Sequence, residues 1–362
     1  MTSLGRGLGL GLVVVAATQM NASATTTQRP IAKVPSRPPA AAVRQVPAPK
    51  DLSDRLDALG SGFDGLVGIA VKSIDDGWET GWKDHDLYPQ QSVSKLWVSI
   101  TALDAVDRGR INLDQQVTLT SDDLTLFHEP IAEDIFKNGS VTTTLGDLML
   151  RAITTSDNTA NDKLMRSVGG PAAVRAMIAR KHLGAIRFAN GERDMQSRIA
   201  GLSWALDYAL NGKFFQMRDA LPMSARTAAF NRYIADPYDG AAPFAIVNAL
   251  ARLKQGTLLS PESTAHLLDI MSRTHTGPNR LKGGLAPGWT LNHKTGTGQE
   301  LGGVQAGYND VGILTAPDGK SYAVAVMIKK TSTPLPVRMT LMNAVVQAVI
   351  AEHDHERGDA SD

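Results

Sequence analysis

The chain has 362 residues, with Lys plus Arg at 37, Asp plus Glu at 36, a formal net charge of +1 and 43% hydrophobic residues. That composition can bury a substantial core, and near-neutrality gives no electrostatic reason to expect a nucleic-acid partner. Cys is absent, which excludes disulfides, thiolate nucleophiles, and cysteine-held zinc or iron–sulfur clusters.

At the N-terminus, Arg6 precedes the apolar run Leu8–Ala17, and Asn21-Ala22-Ser23-Ala24 supplies small residues two apart. This order matches a secretory signal peptide over 1–24, cleaved after Ala24, and places the mature protein in the periplasm or outside the cell. The run is short for a hydrocarbon core of about 30 Å, and no later segment is long and apolar enough to span one, so no stable membrane span is expected after cleavage. Residues 25–50 carry six prolines, and basic Arg29, Lys33, Arg37, Arg44 and Lys50 without an acidic residue. They read as an extended spacer, with a weak attraction to an anionic envelope surface as the alternative.

Asp51–Leu59 places Leu52, Leu56 and Leu59 at helical spacing. Gly65–Val71 and Trp78–Trp82 read as strands joined at Asp75-Asp76-Gly77. Helices are expected at Ser92–Asp107, Thr144–Thr155, Pro171–Ile178, Ile199–Leu210, Pro243–Leu253 and Pro261–Met271, several with Pro in the first turn. The period then changes to that of strands at Trp289–His293, Val304–Leu314 and Tyr322–Ile328, with a turn at Pro317-Asp318-Gly319. A last helix is expected over Pro336–Ala351, followed by a frayed polar tail over 352–362. The order implies an α+β fold. One antiparallel five-stranded sheet is flanked by helices, and an all-helical subdomain, roughly 92–285, is inserted between its second and third strands. The catalytic domain would cover 51–351.

Three short elements carry chemistry. Ser92-Val93-Ser94-Lys95 opens a helix, so Ser92 and Lys95 share a face; a neutral lysine there can take the serine's proton. Ser156-Asp157-Asn158 follows the helix ending near Thr155 and presents a hydroxyl and a carboxamide in a turn. Lys294-Thr295-Gly296-Thr297-Gly298 closes a strand, where Lys and Thr can hold an anion and Gly admits a close approach to the backbone. Taken singly, a surface pair, a helix cap and a glycine-rich strand end would each explain one of them.

Together, in this order and on these elements, they resemble the penicillin-recognising serine hydrolases, and in detail the class A β-lactamases. The runs Ser156–Asp162 (SDNTAND), Thr276–Trp289 (TGPNRLKGGLAPGW) and Asn309–Leu314 (NDVGIL) extend the likeness over most of 51–351. The resemblance implies a β-lactamase/transpeptidase-like fold and a small-molecule substrate, a β-lactam or a D-alanyl peptide. It implies no cofactor or metal, and a monomer. It also implies that Ser92 is the nucleophile, Lys95 its activating partner and Ser156 a proton relay to the leaving nitrogen. Asn158 would bind the substrate's side-chain amide, Lys294 and Thr295 its carboxylate, and the N–H groups of Ser92 and Thr297 would form the oxyanion hole. His128 and His293 lack a ligand set and read as surface or packing residues.

The likeness fails at one point. The family carries a glutamate that activates the deacylating water four residues before an asparagine; if Asn231 is that asparagine, Thr227 stands in the glutamate's place. No Glu lies between Glu192 and Glu262. Either a long insertion returns Glu192 to the pocket as the base, or the glutamate is missing and Glu192 faces solvent beside Arg193. Gapless spacing favours the second, with deacylation by a slower route. β-Lactam hydrolysis through an acyl-enzyme is the leading reading. A D-alanyl-D-alanine peptidase, another amidase or esterase, and a non-catalytic envelope binding module are the alternatives.

Overall fold

The computed structural model describes residues 46–359. The expected signal peptide at 1–24 and the leader up to residue 45 lie outside the described residues. The sheet consists of β1 (Leu66–Ser73), β2 (Glu79–Trp82), β3 (Thr290–Thr297), β4 (Val304–Thr315) and β5 (Ser321–Thr331). Its order is β2–β1–β5–β4–β3, every pair antiparallel, with the short strand Glu300–Leu301 added on β4. The helices that frame the site are α1 (Lys50–Ser61), α2 (Lys95–Asp107), α3 (Asn158–Ser167), α4 (Glu192–Ile199), α5 (Lys213–Ala220) and α6 (Leu335–Asp359).

The sheet is buried on both faces, which is why its strands read as continuous apolar runs. Along β5, Tyr322, Val324, Val326 and Ile328 pack with Leu52 and Leu56 of α1 and Val345, Val346 and Val349 of α6. The alternate residues Ala323, Ala325 and Met327 join the core of the helical subdomain, where small side chains let the helix Pro243–Lys254 lie close. Burying each large aliphatic side chain of this kind stabilises the fold by about 1.5–3 kcal/mol. Between β2 and β3 the chain builds the helical subdomain around α2, whose residues Lys95–Asp104 are all buried.

Several elements depart from expectation. Ser92 lies in a 3-10 turn, Gln91–Ser94, which precedes α2 rather than forming its first turn. No helix forms over Ile199–Leu210: the helical segment is α4, which stops at Ile199 before Gly201 takes a left-handed φ of 87°, and only a 3-10 turn, Leu206–Ala209, follows. A ribbon of Gln116–Thr120 and Ser140–Thr144 escaped the sequence reading, because it is threonine-rich and buries only Leu119. α6 continues to Asp359, so the expected frayed tail is helical this far; His353 is buried against the Tyr322 hydroxyl at 3.1 Å and Lys320 donates to Glu356 at 2.6 Å.

Candidate active site

The turn that carries Ser92 is held in an uncommon conformation. Gln91 has φ 53°, a left-handed value that costs a non-glycine residue free energy and persists only where neighbours enforce it. Its backbone N–H donates to Asp239 Oδ2 at 2.6 Å, and its side-chain amide donates to the Tyr233 hydroxyl, which donates in turn to Asp239 Oδ1 at 3.0 Å. Asp239 is fully buried; burial, opposed by these donors, raises its carboxyl to about 6. Gly296 of β3 packs against the same turn. A Cβ there would stand 2.3 Å from the Gln90 carbonyl oxygen, so the close approach that needs glycine is to the protein's own backbone.

Lys95 is fully buried at the centre of the site. Its Nζ lies 2.7 Å from Ser92 Oγ, 2.5 Å from Asn158 Oδ1, 3.1 Å from Glu192 Oε1, 3.2 Å from the Ser156 carbonyl and 3.4 Å from Ser156 Oγ. An ammonium has three protons, fewer than these five oxygens, so the contacts cannot all be hydrogen bonds at once. Ser156, at φ 61°, also accepts from Lys294 Nζ at 2.9 Å. With both lone pairs of its hydroxyl facing lysines, its own O–H is free to donate into the cavity. Asp157 fixes this turn by accepting from Ala160 N at 2.8 Å and from Ile131 N at 2.7 Å.

Glu192 is the main correction. It is 2% exposed, not solvent-facing. Its Oε1 meets Lys95, and its Oε2 accepts from Gln196 Nε2 at 3.1 Å. The reason is the start of α4. Asp162, from the SDNTAND run, receives the first amides of that helix, Glu192 N at 3.0 Å and Arg193 N at 3.4 Å. Gly191 takes φ 97°, a backbone conformation that a residue with a Cβ adopts only under strain, and a Cβ there would also press on Met165 Cε at 2.7 Å. Burial, and then the Glu192 charge, raise Asp162 to about 6. Asn231 and Thr227 are exposed on the helix Met223–Ala235, away from this cluster. The residue four after Glu192 is Gln196, whose side-chain amide reaches the Glu192 carboxylate.

On the opposite wall, Lys294 is fully buried and donates to Ser156 Oγ and to the Thr295 carbonyl, each at 2.9 Å. Burial, then Lys95 and Arg280, push its ammonium well below the usual lysine range. Thr295 Oγ1 pairs with Thr276 Oγ1 at 2.6 Å. Arg280 stacks on the Tyr308 ring at 3.8 Å and donates to Thr297 Oγ1 at 2.6 Å and to the Gly296 and Asn309 carbonyls at 3.0 and 2.7 Å. A cavity of about 510 Å³ is lined by Ser92, Ser156, Asn158, Thr295 and Thr297, with Gln196, Phe127 and Arg280 around them. The two histidines are packing and rim groups: His293 Nδ1 pairs with Asp310 at 2.9 Å, and His128 Nε2 contacts the Thr155 carbonyl at 2.7 Å.

The structure thus brings Ser92, Lys95, Ser156, Asn158, Glu192, Lys294, Thr295 and Thr297 into one site. Gln91, Gln196, Asp162, Asp239 and Arg280 were not singled out from the sequence. For Arg280 a signal existed, a cation inside the run that precedes the KTG strand; each of the others has a partner in the site that lies 30 or more residues away.

Residues 51–353 match the Beta-lactamase enzyme family, and the chain belongs to that family, among its serine, class A-like hydrolases. It is 29% identical over 297 residues to the extended-spectrum β-lactamase PER-1 of Pseudomonas aeruginosa, covering 82% of this chain and 85% of the relative. A β-lactamase of Mycobacterium tuberculosis is 28% identical over 282 residues, 78% of each chain. Among solved structures, a β-lactamase from Chitinophaga pinensis aligns with TM-score 0.68 and 26% identity over 83% of this chain and 98% of that one. The TLA-3 extended-spectrum β-lactamase gives TM-score 0.68 and 26% identity over 82% and 96%.

Proposed function

We propose that the protein is an exported β-lactamase that opens the lactam amide through an ester on Ser92 and then hydrolyses that ester with Glu192 as base. The observation that carries this reading is the buried Glu192 carboxylate, 3.1 Å from Lys95, which in turn is 2.7 Å from Ser92 Oγ. A serine–lysine pair suffices to form an acyl-enzyme; a second base beside it is what releases one by water.

In acylation, Lys95, having passed a proton to Glu192, takes the proton of Ser92 as Oγ attacks the lactam carbonyl. The N–H groups of Ser92 and Thr297 receive the oxyanion, and a fixed donor at such a site contributes about 3 kcal/mol to the transition state. As the C–N bond breaks, Ser156 gives its proton to the nitrogen and is resupplied by Lys95. Glu192 then returns its proton to Lys95, so in deacylation its carboxylate takes a proton from water, hydroxide adds to the ester carbonyl, and Ser92 leaves with a proton returned through Lys95. Lys294, Thr295 and Arg280 hold the substrate carboxylate by charge and hydrogen bonds, and Asn158 orients the acyl amide.

Export rests on the segment Arg6, Leu8–Ala17 and Ala24, which assigns the enzyme to the periplasm or the medium; no described helix is long and apolar enough to cross a membrane. The test is intact-mass spectrometry over time after mixing with benzylpenicillin. A transient adduct with opened product is expected, absent from Ser92→Ala, which should remain folded. A persistent adduct without turnover would assign the protein to the peptidase-like class instead.

A further inference from the structure

Gln91, the residue before the nucleophile, divides its hydrogen bonds between two halves of the site. Its backbone serves the Ser92 turn: the N–H donates to Asp239, and the carbonyl accepts from Ser94 Oγ at 2.7 Å. Its side chain runs the other way, toward Glu192. Gln91 Oε1 accepts from Gln196 Nε2 at 3.0 Å, and the same Nε2 donates to Glu192 Oε2 at 3.1 Å. Both amide protons of Gln196 are thereby committed. Its Oε1 accepts from Gln299 Nε2 at 3.0 Å, and that nitrogen also donates to the Gln196 carbonyl at 2.8 Å.

This chain of hydrogen bonds has a fixed polarity. Asp239, its carboxyl raised to about 6, is ionised at neutral pH and can only accept. Tyr233 donates to it, so the Tyr233 oxygen is left to accept the Gln91 amide, and Gln91 turns its own carbonyl oxygen toward Gln196. Gln196, held between Gln91 and Gln299, then presents N–H to Glu192. A flipped Gln196 amide would set oxygen against oxygen at Gln91 and Glu192, and nitrogen against nitrogen at Gln299. Three hydrogen bonds would be lost, and because Gln91, Gln196 and Glu192 are buried, water does not replace them.

The consequence falls on the proton that Glu192 carries between steps. Its Oε2 is committed as the acceptor of the Gln196 N–H, and a carboxyl oxygen that holds a proton is the poorer acceptor. The proton therefore settles on Oε1, the oxygen 3.1 Å from Lys95 Nζ, from which it can be handed back. We infer that Gln91, oriented by Tyr233, is a positioning residue for the base: through Gln196 it directs the proton of Glu192 to the oxygen that faces Lys95. The inference rests on the acyl-enzyme reading above, with Glu192 as base. Gln91 is not among the residues that line the active-site cavity, so its side chain acts through Gln196 rather than on the substrate.

The test measures quenched-flow acylation and deacylation rates with benzylpenicillin, and thermal melting as the check on folding. Parent, Gln91→Met, Tyr233→Phe, their double variant and Glu192→Gln are compared. Methionine keeps the length of Gln91 and drops both polar atoms, while the backbone N–H that holds the Ser92 turn remains. Deacylation should fall about three- to tenfold in Gln91→Met, as for one or two lost hydrogen bonds, and acylation by less. Tyr233→Phe should shift the ratio of the two rates in the same direction. Added to Gln91→Met, it should change deacylation by less than about twofold, because Tyr233 acts through Gln91. An unchanged ratio in Gln91→Met overturns the inference, and so do single losses that multiply in the double variant, which would mark two separate structural props. If Gln91→Met does not fold, the ratio in Tyr233→Phe decides. If Glu192→Gln deacylates like the parent, the base reading fails and this inference falls with it; a failure confined to Gln91 and Tyr233 leaves that reading standing.

Discussion

Replacing Glu192 by Gln changes one oxygen to an amide without changing volume, and it separates the two halves of the reaction. Lys95 would still lie beside Ser92 Oγ, 2.7 Å away, and beside Asn158, so the ester can still form. The attacking water loses its base. A positioned general base contributes about 10²–10⁴-fold, so deacylation should fall by that factor; acylation, in which Lys95 remains the group beside Ser92 but loses the acceptor of its own proton, should slow by less. Breaking a buried ion pair can cost about 3–5 kcal/mol when the remaining charge is uncompensated. Here the change also removes a negative charge that bears on Asp162 and Asp239, which offsets part of that cost. Quenched-flow acylation and deacylation rates, with intact mass to count the ester and melting to check the fold, measure the asymmetry. Deacylation within about twofold of the parent, with no accumulated ester, would refute the role given to Glu192.

Lys294→Ala removes a charge-assisted contact worth about 1.5–3 kcal/mol, so acylation by an anionic β-lactam should drop more than acylation by its neutral ester. Equal losses would assign Lys294 wholly to its bond with Ser156. Asp162, raised from 3.8 to about 6, favours the folded state below pH 4, and that contribution is lost as pH rises through about 6. Urea unfolding of Asp162→Asn beside the parent should therefore show the variant gaining on the parent by up to roughly 3 kcal/mol between pH 4 and 6, and a pH-independent difference would contradict this origin. Gly296→Ala should push the Ser92 turn away from β3, costing about 1–3 kcal/mol of stability and most of the acylation rate, because its Cβ would meet the Gln90 carbonyl at 2.3 Å. Parent-like acylation would show that the turn can yield.

The sequence by itself was enough for the α+β order, the sheet strands and the Ser92–Lys95, Ser156–Asn158 and Lys294–Thr297 elements. Each is a local pattern: a period of two or 3.6, a helix-turn spacing, a glycine at a strand end. Three features belong to the tertiary structure alone. Gln91 takes its left-handed φ because Asp239, 148 residues away, captures its amide. Arg280 reaches Thr297 across a turn whose path no periodicity encodes. Glu192, beside Arg193, carries no local pattern that marks it as buried. The side chain is turned inward by Asp162 capping α4 and by the electrostatic demand of a buried lysine, and both are interactions between segments that only folding brings together.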